Sequence, residues 1–578
     1  MSPRRHVRRA VAVLALTALG GLAGLGRPIP PAWALDEVFQ VNSTIDAPDI
    51  DVTDHMCRTA ASTCTLRAAV MQANYEPGLD YIVLESKTYT LTIAGEGSFS
   101  GAGDLDIDGD LIVVGSGSPG STIIQASTTG YATGIDRIFE VDQGPLSFTV
   151  SNVTLRYGKA SIGGAIYAPH AGTAVNILDG SFVTSNRATG GSIIEGKGTL
   201  SIEDSTVSSN SASGGGAVEW AGDMTILRST VLANTTAFAT VRVTGSGTSL
   251  IDRSTFSGND AAVGGGTGGA VSVGSGSGSA ALLLRNSTLT TTGGVGATVA
   301  VAAGASLDLR SSTIAANSLP GLSSAGTESV RNTILSGNTG GNCTSHMSSA
   351  GHNLDSASTC GFAGTGDIAN GTAGLEGLAA NGGPTRTMAL GATSRAIDHG
   401  AGCPTIDQRG TARPIDGDLN GTATCDIGAY EAAAGTAPKP TPSPTPKPTP
   451  PPTPKPTLTP TAKPTGAPSL APSAAPSPSM EVSSEPPAAA SPGPSASPGP
   501  SPAPSAAGSP STAPPEVAAS GGSSGSGAPG ASPAPSPSSG SDVGGPALLL
   551  ILLILGGLVA VWFTAGARRR RGGGHPQG

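Results

Sequence analysis

Two runs of carboxylates have the spacing to hold a hard cation. Asp104-Leu105-Asp106-Ile107-Asp108-Gly109-Asp110 begins like a calcium-binding loop, yet Gly115 stands where the closing bidentate Glu is needed. Leu105, Ile107, Leu111 and Val113 alternate through the same stretch, which predicts a strand with the acids on its other face. Asp416-Gly417-Asp418-Leu419-Asn420-Gly421 is the better ligand set, with oxygens at alternate positions, a Gly for the sharp turn, and Asp426 following. Its closing position is Ile427, so the expectation is a calcium-stabilised turn and not a complete EF-hand. Asp416, Asp418, Asn420 and Asp426 are the expected ligands of this structural calcium, and no other cofactor is expected.

Acid–base chemistry is harder to find. Asp204, Asp252, Arg228 and Arg253 would supply carboxylates and an Arg base, but they flank a recurring motif and read as a solvent-facing column. His170, His346, His352 and His399 lack a partner pattern. Trp220 is the one Trp outside the two apolar ends, so few aromatic platforms are available to stack a sugar. No catalytic residue is expected.

The recurring motif sets the framework. It reads Ser-Thr, an apolar residue, two small residues, then Asn: Ser205-Thr206-Val207 with Asn210, Ser229-Thr230-Val231 with Asn234, and Ser254-Thr255-Phe256 with Asn259. Ser287-Thr288-Leu289 lacks the Asn, Ser312-Thr313-Ile314 keeps Asn317, and Asn332-Thr333-Ile334 precedes Asn338. Thr206 to Thr230 is 24 residues and Thr230 to Thr255 is 25, a period of stacked supersecondary units. Leu200, Ile202, Val207 and Val218 recur as Met224, Ile226, Val231 and Val241, alternating as strands do. Clusters such as Gly214-Gly215-Gly216 exclude long helices. The fold class is therefore all-β, a parallel β-helix. Val207, Val231, Phe256, Leu289 and Ile314 should form an internal column, and the Asn residues a ladder at a turn, where side-chain amides can bond each other and tolerate left-handed backbone.

Both ends point outside the cytoplasm. Arg4, Arg5, Arg8 and Arg9 precede the apolar Ala10–Leu25 and the small residues around Ala32-Trp33-Ala34, so 1–34 reads as a secretory signal. Pro546–Ala565 is uncharged and long enough to span a bilayer, and Arg568–Arg571 in the tail 566–578 should stay cytoplasmic. Between them, 433–543 is a disordered Pro/Ser/Ala/Gly-rich stalk able to reach on the order of 300 Å. Without nine Arg in the terminal segments, 31 Lys+Arg fall to 22 against 40 Asp+Glu, a net charge of −18 that disfavours nucleic acid as a partner. Six Cys in an exported chain imply disulfides. Fifteen connectivities are open; nearest-neighbour pairing, Cys57 with Cys64, Cys343 with Cys360 and Cys403 with Cys425, is the expectation.

Two flanking segments carry family resemblances. Cys64-Thr65-Leu66-Arg67-Ala68-Ala69-Val70 resembles the Cys-Ser-Leu-Arg-Glu-Ala domain that opens bacterial surface β-helix proteins, with Thr65 for Ser and Ala68 for Glu. Leu66, Ala69, Val70 and Ala73 would make a short helix capping the stack. Residues 375–431, with Asn381-Gly382-Gly383-Pro384, Asp407-Gln408-Arg409-Gly410 and Cys425-Asp426-Ile427-Gly428, resemble the choice-of-anchor Q domain; His399 departs from it. The resemblance implies a right-handed, pectin-lyase-like β-helix on a bacterial surface. That fold also carries lyases and polygalacturonases, but their Asn-Thr-Asp, Gly-His-Gly and Arg-Ile-Lys segments do not occur. The expected domains are a cap with first coils (35–135), β-helix repeats (136–345), the anchor-type module (346–432), the stalk (433–543), the membrane helix (546–565) and the tail. The expected function is non-enzymatic adhesion or binding of an extracellular polysaccharide or surface protein; a polysaccharide lyase or hydrolase is the alternative.

Overall fold

Apolar residues that recur once per coil can leave water only by stacking on their counterparts, and the strand register follows that rule. In a computed structural model, the structure describes residues 36–95, 100–261, 269–274 and 279–438. The signal, most of the stalk, Pro546–Ala565 and the basic tail lie outside them. Among the described residues no helix is long and apolar enough to cross a membrane.

Parallel pairing aligns Val207, Val231, Phe256, Leu289 and Ile314 in one file, each at most 1% exposed. Leu200 pairs Met224, Ile202 pairs Ile226 and Val218 pairs Val241, as the alternation predicts. Three parallel sheets of 18, 12 and 6 strands wrap the core. Stacking runs past residue 345, because Leu354–Asp355 and Ile368–Ala369 join the 12-stranded sheet.

The Asn residues do form a ladder. Nδ2 of Asn186, Asn210 and Asn234 donates to Oδ1 of Asn210, Asn234 and Asn259 at 3.1, 2.9 and 3.0 Å. The left-handed residue, however, is the one before each Asn: Ser209, Ala233, Gly258 and Ala316 have φ of 55°, 53°, 63° and 55°. That bend turns the following side chain inward, where the amide reaches both neighbouring coils. The motif's Ser residues build a second ladder, Ser229 Oγ accepting from Ser205 N and Ser254 Oγ from Ser229 N.

The last copy of the motif is shifted by one residue. Ile334 pairs Thr313 and Leu335 pairs Ile314, so Thr333 holds the Ser position and Leu335 the core position. Thr333 Oγ1 donates to Arg331 O as Ser312 Oγ donates to Arg310 O. The spacing to the ladder decides the register: Asn338 follows Leu335 by the same step that separates Asn317 from Ile314.

The helix Leu66–Tyr75 covers the first coil, with Thr65 as its N-cap accepting from Ala68 N. It meets the open edge of strand Leu105–Ile107: Asn74 Nδ2 donates to Asp106 O at 2.8 Å, and its Oδ1 accepts from Asp108 N at 3.0 Å. Arg67, fully buried, pairs Asp46 at 2.7 Å and donates to the carbonyls of Ser100, Gly103 and Asp104. Backbone groups of an end coil are thus satisfied by side chains, which removes an edge open to pairing.

At the other end, residues 375–432 lie along the outer side of the 12-stranded sheet. The outward Thr of the motif is the rail. Gln408, buried, accepts from Thr288 Oγ1 at 2.7 Å and donates to Thr255 Oγ1 at 2.9 Å and Thr385 Oγ1 at 2.9 Å. Ala429 N donates to Thr313 Oγ1 at 3.1 Å, and the shifted Ile334 packs against this module. Disulfides join Cys57–Cys64, Cys343–Cys360 and Cys403–Cys425.

Candidate functional site

The outer face of the long sheet carries a file of functional side chains. Parallel register places Asp106, Glu140, Tyr167, Glu195, Glu219 and Arg242 in successive coils, about 4.8 Å apart. Arg137 lies beside its start, in contact with Glu140 and 5.2 Å from the Tyr167 ring centroid. Arg242 contacts Glu219 and lies 4.8 Å over Phe238.

Ser192 joins the middle of the file. Its backbone N donates to Glu195 Oε2 at 2.6 Å and its hydroxyl to Glu219 Oε2 at 3.0 Å. Burial, with a smaller contribution from Glu219, pushes the Glu195 carboxyl above its ordinary range. The two glutamates were missed in the sequence although a signal existed. Each precedes its core Val by the same offset (207 − 195 = 12 and 231 − 219 = 12), but the rest of the file repeats a position and not a residue type.

The expected calcium ligands are divided. Asp416 and Asp418 come together with Asp398, their oxygens within 4.8 Å of one another. Asn420 is turned away, its Oδ1 accepting from Thr422 N at 2.8 Å. Asp426 is buried and accepts from Asp398 N and Ala432 N at 2.8 and 2.5 Å, so it belongs to the interior of the module. Asp398 replaces it because the chain reverses there and aims this side chain at Gly417 N and Asp418 N. The set left is three carboxylates, the hard oxygen chemistry that suits calcium.

The Asp104 run forms strands, as the alternation predicts, with Leu105, Ile107, Leu111 and Val113 in the core. Its first two acids are not left in water: Asp104 and Asp106 are buried, Asp108 is half-buried and Asp110 exposed. They and Glu140 have oxygens within 4.8 Å of one another. The Arg137 guanidinium occupies this cluster, in contact with Glu140 and 3.5 Å from Asp104 Oδ2, so the cation there is already the protein's own.

Asp204, Asp252, Arg228 and Arg253 form an ionic column, but it is not the solvent-facing one expected, because Asp252 is buried under its arginines. Arg228 binds Asp204 through two nitrogens, at 2.6 and 2.5 Å, and Asp252 lies 3.1 Å from Arg285 and 3.7 Å from Arg253. Of the four histidines, His352 donates to His399 O at 2.8 Å and His399 to Ile397 O at 2.5 Å. Trp220 is wholly interior, so it offers no platform.

Burial raises Asp80, Asp104 and Asp426 from 3.8 to about 7. Between these values the folded chain holds protons that the unfolded chain releases, so this contribution is complete below about pH 4 and lost as pH rises through about 7. The melting temperature is therefore expected to be higher at about pH 5.5 than at about pH 8. Asp80 accepts from Glu37 N through Oδ1, while its buried Oδ2 has no partner. Asp80→Asn should raise the melting temperature at the higher pH and flatten the profile. A wild-type melting temperature that climbs steadily from acid to base would contradict this.

Residues 138–314 match the family model described as a right handed beta helix region. Together with the strand register, this identifies residues 138–314 as a right-handed β-helix region within a longer parallel β-helix stack. No curated protein matches it. Among solved structures, the crystal structure of pectate lyase Pel9A aligns over 69% of this chain and 97% of that chain, with 15% identity and a TM-score of 0.39. A likeness at that level carries no argument about activity.

Proposed function

We propose that this is a non-enzymatic cell-surface protein whose β-helix flank binds an extracellular polymer. The observation that carries the reading is the file on the long sheet. Each carboxylate in it is already met: Asp106 by Ser100 N, Glu140 by Arg137, Glu195 by Ser192 N, and Glu219 by Ser192 Oγ and Arg242. The file offers one fixed polar side chain per coil, with the Tyr167 ring among them, which suits recognition of a repeating chain. The sequence pattern supports the location: 1–34 reads as a signal, 433–543 as a stalk, 546–565 as apolar enough to span a bilayer and 566–578 as a basic tail. The segments resembling cap and anchor-type domains fit the same setting.

One observation favours the alternative, a polysaccharide hydrolase or lyase. Glu195 and Glu219 share Ser192 in unlike environments, one raised by burial and the other beside Arg242. Carboxylates so distinguished are how acid and base roles are divided. Purified full-length protein, incubated with acidic and neutral polysaccharides, should be retained without producing reducing or unsaturated ends. New ends that disappear in Glu195→Gln would overturn the non-enzymatic reading; no retention on any polymer would overturn binding.

We also propose a structural calcium at Asp398, Asp416 and Asp418. Millimolar calcium should then stabilise the C-terminal module by about 1 kcal/mol, and a chelator should reverse it. Asp418→Asn should abolish the increment. A melting temperature indifferent to calcium and chelator removes the ion from the account.

A further inference from the structure

A second surface, round the corner from that file, gathers cations. The loop at 127–135 folds over the coils beneath it. Gly134 is the close point: a Cβ there would lie 2.4 Å from Tyr157 O, 3.0 Å from Lys159 Cβ and 3.3 Å from Tyr131 O. Lys159 and Arg187 are register partners on the 6-stranded sheet, and Arg156 lies on the adjoining 12-stranded sheet. The Arg156 guanidinium is 4.8 Å from the Tyr157 ring centroid and that of Arg187 is 5.8 Å from the Tyr131 ring centroid.

These three cations differ in their partners from those of the long-sheet file and the ionic column. Arg137, Arg228 and Arg242 each meet a carboxylate. Among the described residues, Arg156 donates to the neutral Gln125 Oε1 at 2.8 Å and Lys159 to Ala132 O at 3.2 Å, while buried Nε of Arg187 finds no acceptor. Their charge is therefore not cancelled, on a protein where 40 acids face 22 cations between the terminal segments. Acids are abundant enough to have paired them, and the fold leaves them open.

We infer that Tyr131, Tyr157, Arg156, Lys159 and Arg187 form a binding site for an anionic glycan, separate from the long-sheet file. The guanidinium and ammonium groups take the carboxylate, sulfate or phosphate of the sugar chain. The tyrosine faces opposite these guanidinium groups take the sugar rings. Arg187 and Lys159 are one coil apart, so they can meet charges about 4.8 Å apart along the helix axis.

The test uses the full-length protein and four immobilised probes: polygalacturonate, poly(glycerol phosphate), a neutral glucan and single-stranded DNA. Retention on an acidic probe and not on the glucan is expected, and the acidic probe held more tightly identifies the anion. Arg156→Gln/Lys159→Gln/Arg187→Gln should weaken retention at least tenfold, and Lys159→Gln alone, at a half-buried position, should weaken it measurably with the melting temperature unchanged. Tyr131→Ala/Tyr157→Ala should weaken retention on polygalacturonate more than on poly(glycerol phosphate), which has no sugar ring to stack. Equal retention of the glucan, or full retention by the cation variants, overturns the inference. DNA bound as tightly as the glycans overturns the sugar assignment. Loss of binding in Arg242→Gln with none in the cation triple would leave the long-sheet reading standing and this one refuted.

Discussion

Asn234→Ala is expected to cost about 4 kcal/mol of unfolding free energy, a large part of the stability of its coil. Asn234 Oδ1 accepts from Asn210 N at 3.1 Å and Asn210 Nδ2 at 2.9 Å. Its Nδ2 donates to Val207 O and Asn259 Oδ1, both at 3.0 Å. The site is fully buried, so water cannot replace these partners. Alanine orphans a backbone N–H and a carbonyl inside the stack, at about 1–3 kcal/mol each, and removes the bond that joins three coils. The left-handed Ala233 then keeps its conformational cost without the ladder that offsets it. Because each coil touches only its neighbours, faster hydrogen exchange should be confined to coils around 205–236, and urea titration should report the lost free energy.

The opposite substitution should act in the opposite direction. At Thr292 the ladder lacks its Asn: the backbone N still donates to Asn317 Oδ1 at 2.9 Å, but the buried hydroxyl has no partner. Thr292→Asn is of similar volume and would restore a donor and an acceptor, so about 1 kcal/mol of stabilisation is expected. If Asn234→Ala melts like the wild type, the ladder marks the turns without supporting them.

How much of this was legible depends on where a contact's partners lie in sequence. The column from Val207 to Ile314 was readable because identical slots recur one coil apart and hold similar residues. The one-residue slip at Ile334 was not, because Asn332-Thr333-Ile334 imitates the motif and only its distance to Asn338 discloses the true register. The Thr rail was visible as a repeat, yet its use was hidden: Gln408 meets Thr255 and Thr288 across more than a hundred residues, and no local pattern marks that contact. The carboxylate sites failed for a related reason. Spacing placed Asp426 with Asp416 and Asp418, whereas chain reversal buried it and brought up Asp398. Likewise, Arg156 and Arg187 look in sequence like any other Arg; only their neighbours in space, Gln125 Oε1 and the Tyr131 ring, distinguish them.

Arg413→Met is expected to release the C-terminal module from the β-helix, at a cost of about 3–5 kcal/mol. The Arg413 guanidinium is buried 3.3 Å from Glu431 Oε2 and donates to Asp426 O and Gly428 O at 3.1 and 2.8 Å. Burial holds its basicity below the usual guanidinium range, with Glu431 opposing that effect. Methionine fills much of the volume but leaves Glu431 and Asp426 buried without their cation. Glu431 ties Ile415 N and Asp426 N, at 2.8 and 3.0 Å, so its displacement loosens the segment carrying Gly428 and Ala429, which seat on Ile334 and Thr313. Limited proteolysis should therefore cut 375–432 while the coils before it stay intact. The pH dependence separates this cause from lost packing. Burial raises both acids, Asp426 to about 7, so at about pH 5 Asp426 is largely neutral and the missing cation matters less. The destabilisation by Arg413→Met should thus shrink in mild acid and grow as pH rises through about 7. A deficit equal at both pH values would assign the effect to shape, and a module still protected from protease would place its anchorage in the Gln408–Thr rail instead.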